Sequence, residues 1–223
     1  MKLDMHWRDV AFAHWRVDAD VLARTLPAGV TLDRYEDEAW LSVVPFRMTG
    51  VHPVGLPVVP GFGDVREINL RTYVRVGERR GVWFYSLDAG SPLAVLAARF
   101  TTGLPYFDAT IETSEVAGTI SYTSRRTHRG KPHAQFRARY EPTGEPVLAQ
   151  SGSLDAFLHE RYSFFVARRG RIARGDIAHA PWQLQPLALA IESNTLAAGL
   201  GIGLDRPPDR AVFSRGMRVN ASA

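Results

Sequence analysis

The stretch Glu67-Ile68-Asn69-Leu70-Arg71-Thr72-Tyr73-Val74 alternates polar and apolar side chains, which is the pattern of a β-strand with two different faces. The apolar face is suited to packing. The opposite face carries an acid, an amide, a guanidinium and a phenol, on Glu67, Asn69, Arg71 and Tyr73. Such a face fits either solvent or the polar lining of a cavity inside a barrel.

Strand and turn signals recur at short spacing on both sides of this stretch. Strands are predicted at 8–17, 30–33, 39–48, 82–88, 109–116, 119–127, 134–140 and 163–169. Short helices are predicted at 19–26, 91–100 and 154–161, with Asp18, Ser91 and Ser153 as N-caps. Residues 51–63 are rich in proline and glycine and are expected to form a rigid loop, and the tail from Pro181 gives no clear pattern.

This order of elements predicts a β-rich α+β fold, in which a closed antiparallel barrel removes exposed strand edges. The absence of β-α-β alternation argues against a doubly wound sheet. With 223 residues and 45% hydrophobic content, the chain can build a full core, and we expect a single domain over residues 1–223.

Composition limits the setting and the partners. The chain has no cysteine, which excludes disulfides and thiol chemistry, and residues 1–9 lack the apolar core of a signal peptide. We therefore expect a cytoplasmic protein that does not bind membranes. The net charge is +4, and the two arginine clusters, at 125–129 and 168–174, surround turns without stacking aromatics, so nucleic-acid binding is not expected.

The common catalytic and cofactor motifs are incomplete. His159-Glu160 begins like a zinc-protease helix, but Ser163 stands where the second histidine ligand would be. The glycine-rich run at 199–203 lies late in the chain and does not open a β-α-β unit. We therefore expect neither a metal nor a cofactor.

Five segments together resemble the signature of an uncharacterised bacterial family, the YqjF-like proteins. They are Glu67–Val74, Phe84–Asp88, Leu104–Tyr106, Leu158–Tyr162 and His179–Trp182. The resemblance implies a fold related to acetoacetate decarboxylase: a cone-like antiparallel barrel whose closed interior is a small-molecule site. It implies no particular reaction.

The resemblance to acetoacetate decarboxylase extends to single residues. Arg8 falls on the arginine thought to hold the substrate carboxylate, and Glu67 falls on one of two active-site acids. Val82 stands near the position of the second acid. The family's Pro-Lys-Lys, whose first lysine forms the Schiff base, falls on 105–107, so that Tyr106 replaces this lysine.

The chain's only lysines, Lys2 and Lys131, lie near a terminus and in a Gly-Lys-Pro turn, so neither is a credible buried nucleophile. The sequence therefore predicts that the chain is not a true acetoacetate decarboxylase. We expect an anionic or carbonyl-containing small molecule as ligand, and homo-oligomerisation stays open.

Two functions and one structural alternative remain at this point. The first is an enzyme acting on a small carbonyl or carboxylate compound, with Glu67 and Tyr106 as catalytic groups. Its substrate-binding residues would be Arg8, Asn69 and Arg71. The second is a non-catalytic protein that binds or senses a small ligand. The third is a polar core that only fixes strand register. An open interior favours the first two.

Overall fold

A computed structural model describes residues 2–58 and 63–222. The strands are β1 (Lys2–Val17), β2 (Thr31–Leu32), β3 (Ala39–Pro53), β4 (Asp64–Val76), β5 (Arg79–Ala89), β6 (Tyr106–Val116), β7 (Thr119–Arg126), β8 (Gln135–Pro142), β9 (Val147–Leu148), β10 (Ser163–Arg168), β11 (Arg171–His179), β12 (Gln183–Asn194) and β13 (Arg210–Ser222). The helices are α1 (Ala19–Ala23), α2 (Pro92–Thr102) and α3 (Leu154–His159), with a short 3-10 helix at Ala198–Leu200. Residues 59–62 of the predicted loop lie outside the described residues.

The strands hydrogen-bond into one sheet that closes on itself twice. One ring, called the cavity ring below, runs β4–β3–β1–β13–β11–β10–β5 and returns to β4. A second ring leaves β5 through β6, β7, β8 and β12 and reaches β13. The barrel-like, β-rich fold expected from the sequence is therefore confirmed. Two pairings, β5 with β10 and β5 with β6, are parallel, and the other pairings within the two rings are antiparallel.

Strand β4 divides the interior into two regions because its side chains alternate. Ile68 and Leu70 are almost fully buried in the larger apolar core, which also contains Trp15, Tyr122 and Phe136. Glu67, Asn69 and Arg71 point the other way and line the interior of the cavity ring, while Tyr73 on the same face packs against Phe157. The strand that first suggested a two-faced sheet thus forms a wall between a packed core and an open interior.

Helix α2 closes one end of the cavity ring, and its sequence explains its limits. The Ser91 side chain accepts a hydrogen bond from the Ala94 amide, and Pro92 occupies the first turn. At the other end Gly103 adopts a left-handed conformation, with φ of 75°. Arg168 holds the last turn by donating to the carbonyl oxygen of Thr101 at 3.2 Å.

The C-terminal part of the chain supplies the strands that complete both rings, and the sequence pattern did not reveal them. Strand β13 pairs with β1, β11 and β12. Its Gly216 lies so close to β1 that an added Cβ would meet the carbonyl oxygen of Trp7 at 1.8 Å. A glycine inside a strand can mark this kind of close backbone approach.

Candidate functional site

A cavity of about 670 Å³ occupies the cavity ring. Its walls come from β1, β3, β4 and β5, with two residues each from β10 and β13 and one from β11, while α2 and the start of β6 cover one end. Most lining groups are apolar. They include Trp7, Phe12, Phe46, Met48, Phe84, Leu87, Ala94, Ala98 and Phe100.

Four polar side chains meet in this cavity: Glu67, Asn69 and Arg71 from β4, and Tyr106 from β6. The first three share one face because they are two residues apart on a strand. Tyr122, on the core side, donates a hydrogen bond of 2.8 Å to the backbone carbonyl of Glu67. The structure thus brings together four of the five site residues expected from the sequence.

Glu67 is the carboxylic acid among these four side chains, and its pKa is raised. It is 1% exposed, and burial raises the pKa of its carboxyl from 4.5 to about 7. Hydrogen bonds from the Tyr106 phenol and the Asn69 amide act against this rise, whereas the negative charge of Asp88 adds to it. Near neutral pH the Glu67 carboxyl is therefore able both to give up and to accept a proton.

Arg71 is buried without a charged partner. Its exposed fraction is 8%, and within residues 2–58 and 63–222 its side chain makes no hydrogen bond and no ion pair. Its guanidinium carbon lies 5.7 Å from the centre of the Phe12 ring. Buried arginines are normally paired, so an unpaired one facing a cavity is an arrangement suited to an anion.

Three buried polar atoms in this cluster lack a hydrogen-bond partner in the described part of the chain. They are Oε2 of Glu67, Oδ1 of Asn69 and Nε of Arg71. Leaving such atoms unpaired is costly, and native proteins contain few of them. Their concentration along one strand face indicates a site arranged to pair with polar atoms of another molecule.

Tyr106 is held by its neighbours at the junction of α2 and β6. The carbonyl oxygen of Pro105 accepts a 3.0 Å hydrogen bond from the Leu87 amide, and the carbonyl oxygen of Tyr106 accepts one of 3.0 Å from Arg99. Burial and the adjacent Glu67 carboxyl raise the pKa of the Tyr106 phenol, which therefore keeps its proton. The phenol is a hydrogen-bond donor in this site.

Arg8 does not line the cavity, so the expectation that it lies there with the other four residues was wrong. Its side chain is exposed and donates a 3.0 Å hydrogen bond to the Thr49 hydroxyl. Trp7 and Phe12 both line the cavity, because a bulge at Asp9, where φ is 51°, shifts the alternation between them. Counting back in twos from Phe12 therefore puts Arg8 on the wrong face.

Neither lysine belongs to the cavity lining. Lys131 is exposed, and its amine lies 5.7 Å from the centre of the Phe107 ring on the outside of this region. Val82, which stands near the position of the second acid, packs in an apolar cluster with Tyr73 and Phe164. The polar end of the cavity thus carries one acid, one guanidinium, one amide and one phenol.

Two buried histidines, His14 and His159, contact each other near Arg71, and no sequence motif predicts this contact. Nε2 of His14 lies 3.1 Å from Nε2 of His159. Because Nδ1 of His159 is 2.7 Å from the Asp155 carbonyl oxygen, that nitrogen carries the hydrogen, and Nε2 of His159 must accept. His14 is then the donor, and its own Nδ1 accepts from Ser42 at 2.7 Å.

This directional chain of hydrogen bonds requires both imidazoles to be neutral. Burial lowers the pKa of His14 well below its usual range and lowers that of His159 to about 4. The nearby charge of Arg71 acts in the same direction on both rings. In the sequence, His159 stood out only as part of the Leu158–Tyr162 segment. Nothing marked His14 except its aromatic neighbours, so the sequence did not indicate that the two histidines meet.

The other residues of that segment tie elements together. Arg161 is buried against Asp33, with 2.6 Å between Nη1 and Oδ2, and Glu160 accepts a 3.0 Å hydrogen bond from the Trp182 amide. His179 stacks on Tyr162 with ring centres 4.7 Å apart. The His179–Trp182 motif therefore has a structural explanation.

Within the described ranges, no group of three or more histidine and acidic side chains could hold a metal ion. In the same residues, no helix is both long and apolar enough to cross a membrane.

Solved structures with a similar fold come from proteins related to acetoacetate decarboxylase. The acetoacetate decarboxylase of Legionella pneumophila superposes with a TM-score of 0.67 at 14% identity, covering 100% of this chain and 85% of that one. The enduracididine biosynthesis enzyme MppR, complexed with the condensation product of pyruvate and imidazole 4-carboxaldehyde, gives a TM-score of 0.64 at 12% identity. It covers 100% of this chain and 87% of that one.

An acetoacetate decarboxylase-like enzyme from Sphingomonas wittichii RW1 gives a TM-score of 0.63 at 14% identity, over 97% of this chain and 90% of the other. Identities this low show a shared fold and leave the reaction open.

Sequence comparison is more specific. The uncharacterized protein YqjF of Bacillus subtilis is 41% identical over 198 residues, which cover 89% of this chain and 81% of that protein. Residues 4–218 match the DUF2071 family, described as an uncharacterized conserved protein. The resemblance to YqjF-like proteins and the acetoacetate decarboxylase-like fold, which five segments of the sequence had indicated, are therefore confirmed. The chain belongs to the DUF2071 family.

Proposed function

We propose that this protein is an enzyme that acts on a small carbonyl or carboxylate compound without forming a Schiff base. In this proposal Arg71 binds the anionic end of the substrate, Glu67 moves a proton, and Tyr106 donates a hydrogen bond to the oxygen on which charge develops. Asn69 orients the substrate through its amide.

The observation that carries the proposal is the unpaired, buried guanidinium of Arg71 on the same strand face as a carboxyl with a raised pKa. A carboxylate or enolate placed against Arg71 would form charge-assisted hydrogen bonds and offset the cost of burying the cation. Glu67, whose pKa is about 7, lies on the same strand face. Paired groups with these properties are typical of acid-base sites.

A proton transfer next to a carbonyl is the chemistry these groups support. The Glu67 carboxylate takes a proton from the carbon beside the carbonyl, the electron pair of the broken C–H bond forms a C=C bond, and the π pair of the C=O bond moves onto the oxygen. The Tyr106 hydroxyl, turned from Glu67 to the substrate, donates to this enolate oxygen, while the Arg71 guanidinium holds the anionic end. Return of the proton from Glu67 to another atom of the enolate completes an isomerisation, with no lysine and no imine.

A non-catalytic binding or sensing protein is the second candidate, and the apolar character of most of the cavity wall favours it. Binding pockets combine such walls with a few well-placed polar groups whether or not they catalyse a reaction. The two candidates differ in the role of Glu67. For an enzyme its ionisable group is essential, and for a binder it is not.

Binding is tested first, by calorimetric titration and thermal shift with a panel of 2-oxo and 3-oxo acids. Arg71→Gln should weaken binding about tenfold to a hundredfold, since a hydrogen bond to a charged group contributes about 1.5 to 3 kcal/mol. Arg8→Gln is the matched control, because Arg8 is an exposed arginine outside the cavity, and it should leave affinity unchanged. Unchanged affinity in Arg71→Gln would rule out the proposed anion site.

Chemistry is tested by following the exchange of α-hydrogens of the bound oxo acid for deuterium in D2O by proton NMR. Glu67→Gln keeps the shape and removes the proton carrier, so it should lower the exchange rate about a hundredfold or more while affinity stays close to wild type. Exchange at the wild-type rate in Glu67→Gln excludes Glu67 as the base. No exchange by the wild-type protein, together with Arg71-dependent binding, identifies the binding protein instead.

A further inference from the structure

We infer that the molecule bound in the cavity has an extended apolar body attached to its carbonyl or carboxylate end, with the polar end at Arg71 and Glu67 and the body running towards α2. This inference rests on the proposed function for the polar end. It goes beyond it by assigning the chemical class of the remainder of the ligand. Four observations lead to it: the size of the cavity, its lining, the position of its polar atoms and its rim.

The first observation is size. A water molecule occupies about 30 Å³ of liquid, so a cavity of about 670 Å³ has room for on the order of twenty non-hydrogen atoms. Pyruvate and acetoacetate have far fewer. An oxo acid of three or four carbons would fill only the region around the four polar side chains.

The second observation is the lining away from that polar end. Met48, Val65 and Ala89 line the cavity and pack with Ala94 and Val95 of α2, so this part of the wall is apolar. A buried water needs two to four polar partners, and apolar cavities of this kind stay dry and accept apolar molecules. Water is therefore a poor occupant of this region, and a hydrocarbon group is a good one.

The third observation is where the polar atoms lie. The unpaired atoms of Glu67, Asn69 and Arg71 all belong to β4. The polar residues His52, Thr101, Thr102 and Arg168 also line the cavity, but their side chains already bond to backbone carbonyl oxygens. A ligand that matches the site has its polar atoms at one end. An evenly polar molecule, such as a sugar, would leave its own hydroxyl groups unpaired against the apolar walls.

The fourth observation is the rim formed by α2. The helix turns its small side chains Ala94 and Ala98 to the cavity, which leaves space beneath them. Phe100 also lines the cavity and is 83% exposed, and Leu96 on the same helix is 68% exposed. An apolar surface thus continues from the cavity wall to the outside, along the path that a chain longer than the cavity would take.

The experiment is a calorimetric titration with straight-chain 2-oxo acids of increasing length, from pyruvate to 2-oxodecanoate, each below its aggregation concentration. Affinity should rise about fourfold for each added methylene group until the cavity is filled. Wild-type protein, Arg71→Gln and Ala98→Phe are compared. Ala94→Leu is a milder second obstruction, and circular dichroism verifies that each variant is folded.

The variants separate the two ends of the ligand. Ala98→Phe or Ala94→Leu should reduce the affinity for the long acids at least tenfold and leave pyruvate unaffected, whereas Arg71→Gln should weaken all lengths by a similar factor. An affinity that does not change with length, but still depends on Arg71, overturns the apolar body and leaves the proposed function intact. A length dependence with no effect of Arg71→Gln supports the apolar body and contradicts the anion site. Long acids that bind equally well to both obstructed variants also overturn the inference.

Discussion

The raised pKa of Glu67 makes a quantitative prediction about stability that needs no ligand. The free energy of unfolding of wild-type protein is compared with that of Glu67→Gln between pH 4.5 and pH 8. Burial raises the pKa of the Glu67 carboxyl from 4.5 to about 7, and a shift of this size corresponds to about 3 kcal/mol. Because Glu67 is 1% exposed, solvent screening does not reduce this figure appreciably.

The direction follows from proton binding. Between pH 4.5 and 7 the folded protein holds a proton on Glu67 that the unfolded chain has released, so folding is favoured less as the pH rises through this window. Above pH 7 the full cost of a buried carboxylate is present. Glutamine does not titrate, so the unfolding free energy of Glu67→Gln minus that of wild type should increase by about 3 kcal/mol from pH 4.5 to pH 8.

The assay is urea denaturation followed by fluorescence at five or six pH values. Every other titrating group is common to both proteins and cancels in the difference. Glu112→Gln, at an exposed position of β6, controls for the removal of one carboxyl as such. A difference between Glu67→Gln and wild type that stays within about 0.5 kcal/mol across the pH range would refute the argument that burial perturbs Glu67.

Four further outcomes are expected. The depressed pKa of His159, about 4, means that the unfolded chain takes up a proton first as the pH falls, so the contribution of this residue to stability should decrease by about 3 kcal/mol from pH 6.5 to pH 4. Because Glu67 acts in the opposite direction over this range, the quantity to measure is the unfolding free energy of wild type minus that of His159→Gln, and a difference that does not change with pH would contradict this. Asp33→Ala should cost about 3 to 5 kcal/mol in urea unfolding, because it leaves the buried cation of Arg161 unpaired. Gly216→Ala should lower the melting temperature strongly, whereas Gly199→Ala, which meets no atom within 4 Å, should shift it little. Borohydride with pyruvate should trap no adduct, since neither lysine lines the cavity, and a reduced adduct in the mass spectrum would count against imine-free chemistry.

Local patterns predicted the parts of the fold that local physics determines. The alternation from Glu67 to Val74 predicted a strand with two faces. The structure sets Ile68 and Leu70 in the core, and it sets Glu67, Asn69 and Arg71 in the cavity and Tyr73 in a separate apolar cluster. The Ser91-Pro92 start and the Gly103 end of α2 also agree with the structure, because capping depends on neighbouring residues alone.

Long-range features were harder to predict. Strands β11, β12 and β13 complete the rings, yet their side chains have no strict alternation of polar and apolar types, since much of each strand is only half-buried. Arg8 was assigned to the site by the resemblance to acetoacetate decarboxylase, and the sequence gives no indication of the bulge at Asp9, which shifts the alternation along β1. The partnership of His14 with His159 joins residues 145 positions apart, a separation that no short motif can encode.

The pairing of β1 with β13 has a consequence for how the protein is made. The first strand pairs with residues more than 190 positions away, so a ribosome adds more than 190 further residues before that edge of β1 can find its partner. During synthesis β1 therefore presents unpaired backbone groups, which invite aggregation and chaperone binding. Contacts of such high sequence separation also slow folding. The cavity ring closes only when β13 arrives, so the ability to bind a ligand should appear last during refolding, after most of the circular dichroism signal has recovered.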